Sequence, residues 1–247
     1  MEITWYGHSC FRLTERNMAT VVTDPFDNKA IGYDSLKLKA DIVTVSHDAP
    51  GHNNTDAVKG TSHTIDGAGE FEIGGVFITG VQTDGGSGKK KSKEKSTRNT
   101  IYVFDYDGIT VAHLGDLKDT PTQSEIESLG TINVALVPVG GGGGLNAAKA
   151  AEVISLIEPN LVIPMHYSTP AAKISLELAE QIHQRDGTFE SRDSAVPEGD
   201  AQRSSQRNSC RSVGISVELK SSNTQGKNGS KNLNDMGYCG GARPGIF

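Results

Sequence analysis

Histidine and aspartate stand at the ends of three short apolar runs, and these are the residues from which chemistry can be read. The stretch Asp41–Asn53 reads Asp-Ile-Val-Thr-Val-Ser-His-Asp-Ala-Pro-Gly-His-Asn. Ile42, Val43 and Val45 predict a buried strand, and Pro50, Gly51 and Asn53 predict a turn. His47 and His52 should therefore project from a loop at the strand's carboxyl end. Two imidazoles in one tight loop can equally cap a turn or bond to backbone carbonyls. The pattern recurs, however: Ile109–His113 runs into Leu-Gly-Asp116, and Leu161–Met165 runs into His166-Tyr-Ser. His47, His52, Asp116 and His166 are thus candidate metal ligands. Imidazole nitrogen and carboxylate oxygen suit zinc or another divalent ion such as manganese.

The elements that must position these residues follow from local signals. Met1–Leu13 predicts a strand, a turn at Gly7-His8-Ser9 and a second strand. His8 has two readings, a residue facing the metal cleft or a hydrogen-bonded structural residue, and the structural one is preferred. Asp24, before Pro25, has the same ambiguity, a turn former or a residue near the site, and the turn former is preferred. Lys29–Lys39 predicts a loop with a short helical turn, and Ile73–Val81 a hairpin. Asp107-Gly108 predicts a hairpin turn within Asn99–His113. Thr122–Leu129 predicts a short capped helix, Val134–Val139 a buried strand, and Asn146–Ile157 a helix stopped by Pro159. The five glycines 140–144 lack the Lys-Ser or Lys-Thr of a phosphate loop, so close backbone packing is their expected use. Ser175–His183 reads as a last helix.

Taken together, Ile3-Thr-Trp-Tyr-Gly-His8-Ser-Cys-Phe, Thr23-Asp-Pro-Phe, the His47 loop, Gly67-Ala-Gly-Glu70-Phe, Asn99-Thr-Ile-Tyr-Val, His113-Leu-Gly-Asp116, Val137-Pro-Val-Gly-Gly and Pro164-Met-His166-Tyr resemble the metallo-β-lactamase superfamily. Within it the chain resembles the small cytoplasmic metal-dependent hydrolases of the ascorbate-phosphate lactonase type. The resemblance implies an α/β (α+β) fold, a four-layer αββα sandwich, over residues 1–183. It also implies hydrolysis of a lactone, ester or phosphoester by a metal-bound hydroxide. The family pattern is His-x-His-x-Asp-His, whereas this chain reads His47-Asp48-Ala49-Pro50-Gly51-His52. Ala49 stands where a second histidine belongs and Gly51 where an aspartate belongs. A further family histidine expected after Val76–Val81 is replaced by Gln82-Thr-Asp84. By resemblance, His47 and the two vacant histidine positions would serve one metal, Gly51, His52 and His166 the other, with Asp116 as bridge. The second site is better preserved, which implies one ion, or none, rather than two. Asp48, Asp84 and His8 are the spare donors. The alternative is a metal-poor, non-catalytic relative that uses the scaffold to bind a ligand or partner.

Bulk properties narrow the partners. A chain of 247 residues can bury a sizeable core, but its 35% hydrophobic content is low for that length. A formal charge of -6 argues against a nucleic-acid surface. Lys89, Lys90, Lys91, Lys93 and Lys95 form either a solvated loop or a lip that draws an anionic small-molecule substrate. Three dispersed cysteines and the lack of a membrane-length apolar run are expected of a cytoplasmic protein. Residues 184–247, rich in Ser, Asn, Gly, Arg and Gln, do not match the family. They read as a disordered extension or a frame-shifted segment, with only Val213–Leu219 strand-like. A sheet edge left unfinished by that tail would favour self-association into a homo-oligomer.

Overall fold

Alternation of apolar side chains along the strands builds two facing sheets. The structure, a computed structural model, describes residues 1–84, 98–173, 176, 216–219 and 238–239. The first sheet contains β1 (Glu2–Gly7), β2 (Cys10–Thr14), β3 (Val21–Thr23), β5 (Ile42–Thr44), β7 (His63–Ile65) and β14 (Ser216–Leu219). Its order is β14-β1-β2-β3-β5-β7. The second contains β8 (Gly69–Ile73), β9 (Val76–Asp84), β10 (Arg98–Tyr106), β11 (Ile109–His113), β12 (Val134–Pro138), β13 (Leu161–Met165) and β15 (Tyr238–Cys239). Its order is β15-β13-β12-β11-β10-β9-β8. A small pair, β4 (Leu38–Lys39) and β6 (Val58–Lys59), lies apart from both.

The period-2 rule assigns each strand's two faces to different cores. Tyr102 and Phe104 of β10 pack with Ile3, Phe11, Leu13, Val21 and Ile42 between the sheets. Ile101 and Val103 of the same strand pack outward with Leu129, Ala150 and Val153. Those last three sit on or beside α2 (Gln123–Leu129) and α3 (Ala147–Ile157), which cover the second sheet's outer face. Val22 and Val43 likewise turn outward, toward Phe26, Ile31 and Tyr33 around α1 (Asn28–Ile31). The layers are therefore helix, sheet, sheet, helix, the αββα order expected.

Local signals set most boundaries where the sequence predicts them. Asp107 (φ 52°) and Gly108 (φ 88°) form the hairpin turn between β10 and β11. Thr122 and Glu125 make a reciprocal capping box at α2, and Asn146 caps α3 by accepting from the Lys149 amide. Among the described tail residues, β14 pairs in parallel with β1, and β15 pairs antiparallel with β13. β14 and β15 are thus the outer strands beside β1 and β13. The lysine run 89–95, most of the predicted helix Ser175–His183 and most of 184–247 lie outside the described residues. No helix among the described residues is long and apolar enough to cross a membrane.

Candidate metal centre

Parallel pairing of β3 with β5 places Thr23 opposite Thr44, so Asp24 and the loop that begins at Val45 leave the sheet side by side. Asp24 is fully buried and adopts a left-handed backbone (φ 39°). Its Oδ1 accepts from the Ser46 amide at 2.7 Å, and its Oδ2 accepts from Ser46 Oγ at 2.6 Å and His52 Nδ1 at 2.8 Å. Burial alone would raise this carboxyl. The nearby imidazoles of His113 and His52 and the bonds from His52 and Ser46 outweigh burial and hold it well below the usual carboxylate range.

That ionised carboxylate fixes two tautomers. A carboxylate only accepts, so His52 Nδ1 carries a proton, and in the neutral imidazole the lone pair then lies on Nε2. Ser46 Oγ has already given its hydrogen to Asp24, so the contact from His47 Nδ1 to Ser46 Oγ at 3.0 Å is donated by the imidazole. His47 Nε2 is left with a lone pair as well. Asp24, read from sequence as a turn former, is the group that orients both histidines of the loop.

The other predicted ligands arrive from the second sheet. His166 follows β13 with φ 54°; its amide donates to the His8 carbonyl at 3.1 Å and its carbonyl accepts from the Gly140 amide at 3.1 Å. A Cβ on Gly140 would overlap that His166 carbonyl, and one on Gly144 would overlap Asp116 Oδ1. The glycine run is therefore used for close approach, as expected. Asp116 is held through its amide, which donates to Asn99 Oδ1 at 2.9 Å, while Asn99 Nδ2 donates to the Leu114 carbonyl at 3.0 Å.

Of the predicted ligands, the structure sets His52 and His166 in one cluster and Asp116 beside His166. Asp116 Oδ1 lies 3.8 Å from His166 Nε2, and the His52 and His166 rings are 5.6 Å apart. The His47 ring is 4.1 Å from that of His52. Among the described residues, the group of donors that all lie within 4.8 Å of one another is His8, His52 and His166, and Asp116 and His47 fall outside it. His8, given a structural reading from sequence, thus stands inside the cluster. Asp48 is exposed and accepts from Asn53 Nδ2, so it stays a spare acid. Asp84 ends β9, and its side chain lies outside the described residues.

Burial and neighbouring rings favour the neutral form of His8, His47, His113 and His166. Burial and the His52 ring pull His47 down to about 4. Burial, with His166 and His52 beside it, pulls His8 far below the ordinary histidine range, and burial also lowers His166 and His113. Neutral imidazoles are the form that binds metals. Asp116 Oδ1 and the Nδ1 atoms of His8 and His166 are buried without a hydrogen-bond partner, a costly state that a cation relieves. The donor set therefore fits a divalent ion. A cleft of about 800 Å³ adjoins it, walled by Ser46, His47, Asp48, Asp66 and Arg98 among others.

Comparison with known proteins agrees. A metal-dependent hydrolase of Methanoculleus marisnigri is 31% identical over 198 residues, covering 72% of this chain and 86% of that protein. A crystal structure from Thermotoga maritima, assigned as a Zn-dependent hydrolase of the metallo-β-lactamase superfamily, is 38% identical with a TM-score of 0.58. It covers 73% of this chain and 82% of its own. A structure from Parabacteroides distasonis shares the fold at 19% identity, with a TM-score of 0.57 and coverage of 88% and 91%. Residues 2–166 match the family model described as the Beta-lactamase superfamily domain. With its helix–sheet–sheet–helix layers and strand-end histidines, the chain belongs to the metallo-β-lactamase superfamily, in the branch that holds these small hydrolase relatives.

Proposed function

We propose that this protein is a metal-dependent hydrolase of small molecules with a lactone, ester or phosphoester bond, working with one divalent cation. The observation that carries the reading is the pair of buried imidazoles His52 and His166, with Asp116 Oδ1, which lacks a hydrogen-bond partner, 3.8 Å from His166 Nε2. When bound there, a divalent ion supplies a Lewis acid and a water of lowered pKa. The chain's own residues do the rest. Asp24 and Ser46 hold the loop histidines in the tautomer that offers Nε2. Asn99 fixes the Asp116 backbone, and Gly140 and Gly144 let the His166 and Asp116 loops approach. His47, at the wall of the cleft, is placed to meet a substrate, and Arg98 on the same wall suits an anionic group. Zinc fits the nitrogen-rich donors, and manganese is the runner-up.

A second reading, a non-catalytic binding relative, is favoured by Ala49 and Gly51, which bring no donor to the loop. Metal content separates the two. Protein purified without a histidine tag and supplemented with zinc or manganese should hold about one equivalent by plasma mass spectrometry, and His166→Ala should release it. Less than about a tenth of an equivalent in the wild type, unchanged by supplementation, would refute the hydrolase reading.

A further inference from the structure

We propose that His8, in the turn between β1 and β2, is itself a ligand, and that the cation sits among His8, His52 and His166. The inference deepens the reading above and rests on it. Its basis is how much of the fold is committed to one imidazole. His8 takes a left-handed backbone (φ 52°), a conformation that costs a residue with a Cβ about 1 kcal/mol or more. The His8 carbonyl accepts from Trp5 Nε1 at 3.0 Å and from the His166 amide at 3.1 Å. The next carbonyl, on Ser9, accepts from His113 Nε2 at 2.9 Å and Thr23 Oγ1 at 3.1 Å. Gly7 precedes it at φ 113°, with the Tyr33 ring lying where a Cβ would go. The turn is held from several sides, and His8 is 2% exposed.

A purely structural histidine would be expected to spend its ring nitrogens on protein partners. Here Nδ1 has none, although the residue is buried; His113 Nδ1 is also unpaired, but that ring lies outside the cluster and its Nε2 bonds to the Ser9 carbonyl. The ring instead lies 4.1 Å from that of His166 and 4.9 Å from that of His52. Three imidazoles at this spacing repel one another if protonated and share no obvious hydrogen-bond pattern if neutral. A cation satisfies all three together. Room for the ring comes from Gly51, where a Cβ would stand 2.9 Å from His8 Nε2. The loop that brings few donors of its own thereby leaves space for a donor from another strand. Three nitrogens with Asp116 Oδ1 close to His166 suit zinc or cobalt over magnesium or calcium.

The test counts imidazoles and needs no substrate. Cobalt-loaded protein, labelled with nitrogen-15 histidine, should give three hyperfine-shifted imidazole N–H resonances by NMR. His8→Asn should give two, since asparagine tolerates the left-handed backbone, and zinc affinity measured against a chromophoric chelator should fall by about 100-fold or more. His47→Ala should still give three, which keeps the count decisive if the His8 variant does not fold. A wild type that takes up neither cobalt nor zinc overturns this inference and the hydrolase reading together. A wild type that binds cobalt but shows two resonances, or a His47→Ala protein that drops from three to two, overturns the role of His8 alone.

Discussion

Replacing Asp24 with asparagine tests the arrangement on which the loop histidines depend. The carboxylate accepts three hydrogen bonds, two of them on Oδ2, from Ser46 Oγ and His52 Nδ1. Asparagine can keep one oxygen toward the Ser46 amide, but it then presents an NH2 group to two donors. The Ser46 hydroxyl can rotate and accept. The Nδ1–H of His52 cannot, so that imidazole must move its proton to Nε2 or break away. The lost charged hydrogen bond costs about 1.5–3 kcal/mol, and a buried polar group left unpaired adds about 1–3 kcal/mol. Asp24→Asn should therefore lower unfolding stability by about 3–5 kcal/mol in guanidinium titrations with chelator present. A proton on His52 Nε2 also occupies the lone pair offered to metal, so zinc affinity should drop by about 10–100-fold. An asparagine variant within about 1 kcal/mol of wild type, and within about threefold in zinc affinity, would refute the tautomer argument.

Two further expectations concern acid and close packing. His47 is depressed from 6.5 to about 4, so the unfolded chain binds more protons between those values. The associated stability is fully present above about pH 6.5 and is lost as pH falls toward about 4, amounting to about 3 kcal/mol; urea midpoints of chelated protein that stay flat across this window would contradict it. His8, His113 and His166 are depressed in the same direction and should steepen the loss. Gly144→Ala should push Asp116 Oδ1 out of position and weaken zinc binding by about tenfold, read by chelator competition. Unchanged affinity there would remove Asp116 from the ligand set.

Much of this molecule was legible in its sequence, for reasons specific to each element. The Asp107-Gly108 turn, the Thr122 capping box and the Asn146 cap are set by neighbours within four residues, and each forms where local chemistry demands. His52, Asp116 and His166 could be named as candidates because each follows an apolar run. Asp24 and His8 were visible only as second readings, behind a turn former and a structural residue. Asp-Pro and Gly-His-Ser look like ordinary turns, and their roles arise from the β3–β5 pairing and the His8–His166 backbone bond, which join residues far apart in sequence. The one local hint was Gly51, a missing side chain that only the fold shows to be filled by another residue's ring.

His8, Asp24 and His166 all leave their strands with left-handed backbones. Glycine at His8 or His166, whose Nδ1 atoms have no hydrogen-bond partner, would relax the main chain, whereas Asp24 is kept by its three hydrogen bonds, so a screen that rewards heat resistance alone would enrich changes at the two positions that carry imidazoles of the cluster. Stabilised descendants of this protein would then keep the scaffold while losing its chemistry. A breeding scheme that aims to retain both must select with the metal ion present.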